Sequence, residues 1–184
     1  IIGPNADQVQ FGDYTWSRNN KDGVTPLQGI KNRVNKNTAI HYAKGCSLTS
    51  LDTSGIAEAV EAAKNSEVAV IFGGSASAAL ARDYKSSTCG EGFDLNDLNL
   101  TGAQSQLIRE VYRTGTPVIL VLVTGKPFVI EWEKNNLPAI LVQWYAGEQA
   151  GNSIADILFG EVVPSGRLTF SFPRSTGHLP VYYN

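Results

Sequence analysis

Apolar residues fall along this chain in two alternating patterns: short unbroken runs, and sets that recur every three or four positions. Val68-Ala69-Val70-Ile71-Phe72 is an unbroken run closed by Gly73-Gly74, which predicts a buried strand. Val118-Ile119-Leu120-Val121-Leu122-Val123 and Ala139-Ile140-Leu141-Val142 are apolar towards both faces, as central parallel strands under helices must be. A short β-rich run spans 38–42, and Ile1-Ile2 before Gly3-Pro4 reads as the end of a further strand. Leu168-Thr169-Phe170-Ser171-Phe172 alternates apolar and polar, predicting a strand with one open face that Pro173 ends. Between these lie helical spacings. Ile56, Ala59, Val60 and Ala63 form one face, with Ser54 as the expected N-cap. Thr101-Gly102-Ala103-Gln104 has the capping-box pattern and leads into Leu107, Ile108 and Val111, with Gly115 as the stop. A third helix is expected from about 149 to 159, closed by Gly160. This order predicts an α/β fold: one doubly wound, mostly parallel sheet of about six strands with helices on both faces.

One connection breaks the rhythm. About twenty-five residues separate Gly74 from the helix signal at Thr101, far beyond an ordinary strand-to-helix loop. Loops of that length in compact domains are usually functional or disordered. Within it, Cys89-Gly90-Glu91-Gly92-Phe93-Asp94 sets a single acid between two glycines, which let the backbone bend and present the carboxylate outward. In doubly wound sheets ligands bind beyond the carboxyl ends of the strands. The loops expected there carry Asp13, Glu91, Asp94 and Glu148 as acids and Tyr14, Trp16, Phe93, Trp144 and Tyr145 as aromatics. Acids beside flat rings suit a sugar, whose CH face stacks while its hydroxyls bond to carboxylates.

Length and composition narrow the field. At 184 residues and 42% hydrophobic, one domain with a single sizeable core is expected. A net charge of -2 leaves no basic footprint for nucleic acid. No apolar run reaches membrane-spanning length. Two cysteines and two histidines are too few for a zinc site of the usual kind, so no metal is expected. Cys46 and Cys89 are both expected just past strand ends, either disulfide-bonded or as free thiols. His41, alternating with apolar residues, reads as a core histidine, and His178 as a surface residue. Neither has a Ser or Cys neighbour arranged as a hydrolytic triad. Gly73-Gly74 lacks the third glycine and prompt helix of a dinucleotide fingerprint, so no nucleotide cofactor is expected. The chain opens abruptly within a strand, and a piece of a longer protein is expected.

Further motifs make the chain resemble the C-terminal α/β-sandwich domain of glycoside hydrolase family 3. They are Ile2-Gly3-Pro4-Asn5-Ala6-Asp7, Gly12-Asp13-Tyr14, Thr25-Pro26-Leu27-Gln28-Gly29-Ile30, Tyr42-Ala43-Lys44-Gly45-Cys46 and Leu98-Asn99-Leu100-Thr101-Gly102-Ala103-Gln104. Trp144-Tyr145-Ala146-Gly147-Glu148-Gln149, Pro164-Ser165-Gly166-Arg167-Leu168 and Leu179-Pro180-Val181-Tyr182-Tyr183-Asn184 complete the set in family order. The resemblance implies a retaining, exo-acting β-glucosidase or β-xylosidase whose site spans two domains. A preceding (β/α)8-type barrel would supply the nucleophilic aspartate and most of the sugar pocket. Residues 1–184 would be the single closing domain, with β-linked glycosides as substrate and the barrel as partner.

Cys89-Gly90-Glu91-Gly92-Phe93-Asp94 resembles the family's Gly-Glu-Gly segment, which implies Glu91 as general acid/base. In many members arginine follows the aspartate, whereas Leu95 follows Asp94 here. Asp13, Tyr14, Trp16 and Phe93 are candidates for substrate binding; the alternative for the first three is a packed corner. Asp94 is expected to fix the loop through backbone N–H groups, and Glu148 to face the positive end of a helix. The resemblance also implies a secreted or periplasmic parent, and a lone domain inactive without the barrel nucleophile. The alternative is a non-catalytic module of the same fold that binds carbohydrate or another domain.

Overall fold

The computed structural model describes residues 1–17, 19–77 and 88–180. Strands β1 (Ala69–Gly74), β2 (Val118–Val123) and β3 (Ala139–Gln143) form a parallel sheet in that spatial order. Ile71 pairs with Leu120 and Leu120 with Ile140, so the apolar runs are in register across the sheet. The start of the chain extends this layer beyond β1. The Ile2 N–H donates to the Val70 carbonyl at 2.9 Å, and the Phe72 N–H donates to the Ile2 carbonyl at 2.8 Å. Ile2 also bridges in parallel to Ala43 on its other side, so the lateral order is Ala43, Ile2, β1, β2, β3.

Helices cover both faces: α1 (Pro26–Arg33), α2 (Ile56–Lys64), α3 (Gln104–Tyr112), α4 (Glu131–Asn136) and α5 (Ala150–Leu158). Strand residues alternate between two cores, as the period of two dictates. Ile71, Leu120 and Leu122 meet Ile56, Ala59 and Ala63 of α2 and Leu107, Ile108 and Val111 of α3. Phe72, Val121 and Val123 turn the other way, against Ile30 of α1 and Ile154 and Ala155 of α5. This is the expected α/β architecture, parallel and covered on both sides.

Several local expectations need correction. Residues 38–42, expected as a strand, form none; the adjoining Ala43 makes an isolated bridge to Ile2. His41 is exposed on this outermost segment, which no other strand covers among the described residues, and its carbonyl accepts from the Ile1 nitrogen at 2.7 Å. Residues 168–172 form no strand. Their rings pack on one another instead, Phe170 edge-on to Trp144 at 5.4 Å and stacked on Phe172 at 6.0 Å, which buries apolar surface without a hydrogen-bonded ladder. Gly55, not Ser54, precedes α2. Thr101 does not cap α3; its hydroxyl donates to the Leu48 carbonyl at 2.7 Å. Helix α1 was not anticipated, although Thr25 accepts the Gln28 N–H at 3.2 Å and Pro26 opens the first turn, both standard start signals. The two cysteines are free thiols, and burial pushes the Cys46 thiol up to about 11, which leaves it unreactive. Trp132 packs on α3, edge-on to Tyr112 at 5.3 Å and 5.1 Å from the Arg109 guanidinium.

Candidate active site

The carboxyl edge of the sheet is built from small hydroxyl residues. Strand β1 runs into Ser75-Ala76-Ser77 and β2 into Thr124, and these serines and the threonine are buried. The Ser75 hydroxyl donates to Thr124 Oγ1 at 3.2 Å and shares a 2.7 Å bond with the Tyr145 hydroxyl. Gln104, the first residue of α3, clamps the end of β1 from below. Its Oε1 accepts the Gly74 N–H at 2.8 Å and its Nε2 donates to the Gly74 carbonyl at 3.0 Å. A buried amide in this position keeps the strand end from fraying, since each unpaired backbone group there would cost about 1–3 kcal/mol.

The long loop leaves and re-enters this edge at one place. The Ala76 N–H donates to Thr88 Oγ1 at 3.0 Å, the Thr88 N–H returns to the Ala76 carbonyl at 3.2 Å, and Ser77 bridges in parallel to Cys89. The chain therefore re-emerges beside the end of β1, two residues before Glu91. Gly90 and Gly92 have φ of 138° and 68°, a region closed to most side chains, so the bend expected around Glu91 is present.

Glu91 stands on the surface of this edge and is held from two directions. Its backbone N–H donates to Asp13 Oδ2 at 2.6 Å, and its Oε2 accepts from the Tyr14 hydroxyl. Asp13 Oδ1 in turn accepts from the Ser77 hydroxyl. The turn carrying Asp13 and Tyr14 is closed by Thr15, whose Oγ1 donates to the Gly12 carbonyl at 2.8 Å. The hydrogen bond to Glu91 and the charges of Glu91 and Asp13 hold the Tyr14 phenol above its usual range, so it remains a donor. Below the loop, burial, followed by the charge of Cys89, pushes the Tyr145 phenol well up. Lys126 is the converse: burial lowers its ammonium, against the pull of Cys89 and Asp97. Its buried Nζ lies 4.8 Å from the Phe128 ring centre.

Of the residues singled out from the sequence, Asp13, Tyr14 and Glu91 come together directly. Tyr14, bonded to Glu91, is 85% exposed and Trp16 wholly so, so neither ring is packed in a corner. Phe93 is half-buried, its N–H turned back to the Gly90 carbonyl at 3.2 Å. Asp94 is exposed, and among the described residues the loop is fixed by Asp13 and Asp97 instead. Asp97 accepts the Asn99 N–H at 3.0 Å and the Thr176 hydroxyl at 3.0 Å. Glu148 is exposed in the turn Gly147–Gln149 ahead of α5, and its carbonyl accepts the Val24 N–H at 2.7 Å. Sequence reading missed Ser75, Ser77 and Tyr145 as supports; hydroxyl residues directly after two apolar runs were the available signal.

Glu91 lines neither of two sizeable cavities of the domain. One, of about 910 Å³, runs between β3 and residues 164–174, and the other, of about 470 Å³, lies at the opposite end of the sheet. Glu91 is exposed, with the Tyr14 hydroxyl and the Asp13 carboxylate beside it among the described residues.

Comparison with known proteins identifies the family of the chain. The profile of the glycosyl hydrolase family 3 C-terminal domain matches residues 1–184. A β-xylosidase from Formosa agariphila is 41% identical over 189 residues, covering 100% of this chain and 25% of that protein. A periplasmic β-glucosidase from Salmonella typhimurium is 38% identical over 208 residues, covering 100% of this chain and 26% of that protein. A solved β-glucosidase from Erythrobacter marinus superposes with a TM-score of 0.83 at 33% identity, over 99% of this chain and 27% of that one. The chain thus spans about a quarter of the length of these relatives. It belongs to glycosyl hydrolase family 3, as the C-terminal domain of that family.

Proposed function

We propose that this domain supplies the general acid/base, Glu91, to a retaining exo-acting β-glycosidase of β-glucosidase or β-xylosidase type. The observation that carries the reading is the placement of Glu91: an exposed carboxylate at the carboxyl edge of the sheet, fixed at its backbone by Asp13 and at Oε2 by Tyr14. A retaining reaction needs two carboxyl groups about 5–5.5 Å apart. The second belongs to the preceding (β/α)8-type barrel, whose surface closes the open face around Glu91. In the first step the barrel aspartate attacks the anomeric carbon while Glu91 protonates the departing glycosidic oxygen. In the second, Glu91 as carboxylate takes a proton from the water that releases the sugar. Tyr14 serves both steps, because a proton on Oε1 leaves Oε2 free to accept its hydroxyl. Closure by the barrel also removes water from around the reacting bond.

The exposed rings of Tyr14 and Trp16, and the half-buried ring of Phe93, are the stacking surfaces offered to the sugar on the leaving-group side. The substrate class is therefore a β-linked glucoside or xyloside cleaved at its non-reducing end. A secreted or periplasmic parent fits one relative, which is described as periplasmic. The rival reading is a non-catalytic module of the same fold; it requires that Glu91→Gln leave the parent's activity intact.

The test is hydrolysis of aryl β-glucoside and β-xyloside by the parent and by residues 1–184 alone, with the first-formed anomer followed by NMR. The parent is expected to release the β-anomer and the isolated domain to release no sugar, because it lacks the nucleophile. Release of the α-anomer, or turnover by the isolated domain, would refute the scheme.

A further inference from the structure

We infer that Asp13 is the positioning residue of the acid/base, fixing the Glu91 peptide against the end of the β1 segment; the inference rests on the assignment of Glu91 made above. A single carboxylate joins three pieces of chain that are distant in sequence. Its Oδ2 accepts the Glu91 N–H at 2.6 Å across 78 positions, and its Oδ1 accepts the hydroxyl of Ser77. Ser77 is itself a firm anchor, 1% exposed and bridged to Cys89. On the other side, Asp13 follows Phe11, which is 2% exposed, and sits in the turn closed by Thr15 on Gly12.

Glu91 needs such a tether. Gly90 and Gly92 flank it with positive φ, so the peptide carrying the acid has a permissive joint on each side. Hydrogen bonds to an ionised acceptor are roughly twice as strong as neutral ones, which suits Asp13 to hold a backbone whose local restraint is the single turn bond from the Phe93 N–H to the Gly90 carbonyl. Both Asp13 oxygens already accept protein donors, so the carboxylate faces the loop. The tether acts on the peptide, not on the side chain, and orients whatever carboxyl stands at position 91.

Positioning makes a different kinetic signature from sugar binding. A misplacement of about 1 Å at a reacting group costs on the order of 10²-fold. For a general acid that cost appears only where the leaving group needs protonation. Asp13→Ala in the parent is therefore expected to lower kcat/KM about 30- to 100-fold on alkyl or disaccharide substrates. On dinitrophenyl glycosides, whose leaving group departs unaided, the loss of kcat/KM should stay below about threefold. Asp13→Asn keeps the shape: its amide oxygen can accept the Glu91 N–H and its NH₂ can donate to Ser77. It should recover poor-leaving-group activity to within about fivefold of wild type. Ser77→Ala, which removes the anchor and spares Asp13, should give the Ala pattern in weaker form and serves if Asp13→Ala fails to fold. An equal loss on all substrates, or a rise in KM alone, would overturn the inference and return Asp13 to sugar binding or to a purely structural role. The Glu91→Ala series run in parallel separates the two assignments. If it shows no dependence on leaving group, the acid lies elsewhere; if it does and Asp13→Ala does not, only the tether is wrong.

Discussion

Glu91→Ala in the parent enzyme is expected to lower kcat/KM for substrates with poor leaving groups by about 10²- to 10⁴-fold, the usual contribution of general acid catalysis. The loss should shrink steadily as the leaving group becomes more acidic, because a nitrophenolate departs without help. With such activated substrates the first step stays fast and the second, which lacks its base, becomes limiting. A burst of aryl alcohol followed by a slow steady rate and a lowered KM should result. The effect is expected to be this large because the exposed carboxylate is oriented by both Asp13 and Tyr14, with no other acid held this way among the described residues.

The second large effect concerns stability, at the crossing of α1 and α5. These helices touch backbone to backbone. A Cβ placed on Gly29 would lie 2.0 Å from the Gly151 carbonyl oxygen, and one on Gly151 would lie 2.1 Å from that of Thr25. Neither obstacle is a flexible side chain, so the helices must separate. The Gly151 N–H donates to the Val24 carbonyl at 2.9 Å, and the Val24 N–H donates to the Glu148 carbonyl at 2.7 Å, so separation also breaks the link to the loop after β3. Gly151→Ala is expected to cost about 3 kcal/mol or more, at or above the upper end of ordinary overpacking. In a domain of this size that lowers its melting transition by about 6–12 °C, measurable by calorimetry on the parent. Gly29→Ala should behave alike. The double variant should cost less than the sum, since both side chains force the same gap. Unchanged melting in either single variant would contradict the close crossing.

Legibility in the sequence followed the range of the interactions. Strands β1, β2 and β3 were readable because an unbroken apolar run has few other places to go, and α2, α3 and α5 because their apolar faces recur at helical spacing. Residues 168–172 carried the period of a strand, but a period fixes only which side chains share a face. Whether the backbone then finds a ladder depends on the neighbouring edge, and here the rings of Trp144, Phe170 and Phe172 pack on one another instead, edge-on and stacked in turn. His41 failed for a related reason, since alternation says nothing about whether a segment is outermost. At the site, Glu91 was visible through its flanking glycines, which are local. The role of Asp13 was not, because its partner is a backbone N–H 78 positions away. Asp94, close in sequence to Glu91, was the natural guess for a loop-fixing acid. The fold gave that task to Asp13 and Asp97, which lie where the donors are.

The most direct test of Glu91 as the acid/base is azide rescue. Wild-type parent and Glu91→Ala are incubated with an activated aryl β-glycoside and sodium azide, and the products are separated and identified. Azide is small enough to enter the space left by the missing side chain and needs no base to attack the glycosyl-enzyme. Glu91→Ala should recover turnover in proportion to azide and yield β-glycosyl azide, while the wild type gains nothing. Unrescued turnover with only free sugar as product would contradict the assignment of the acid/base to Glu91.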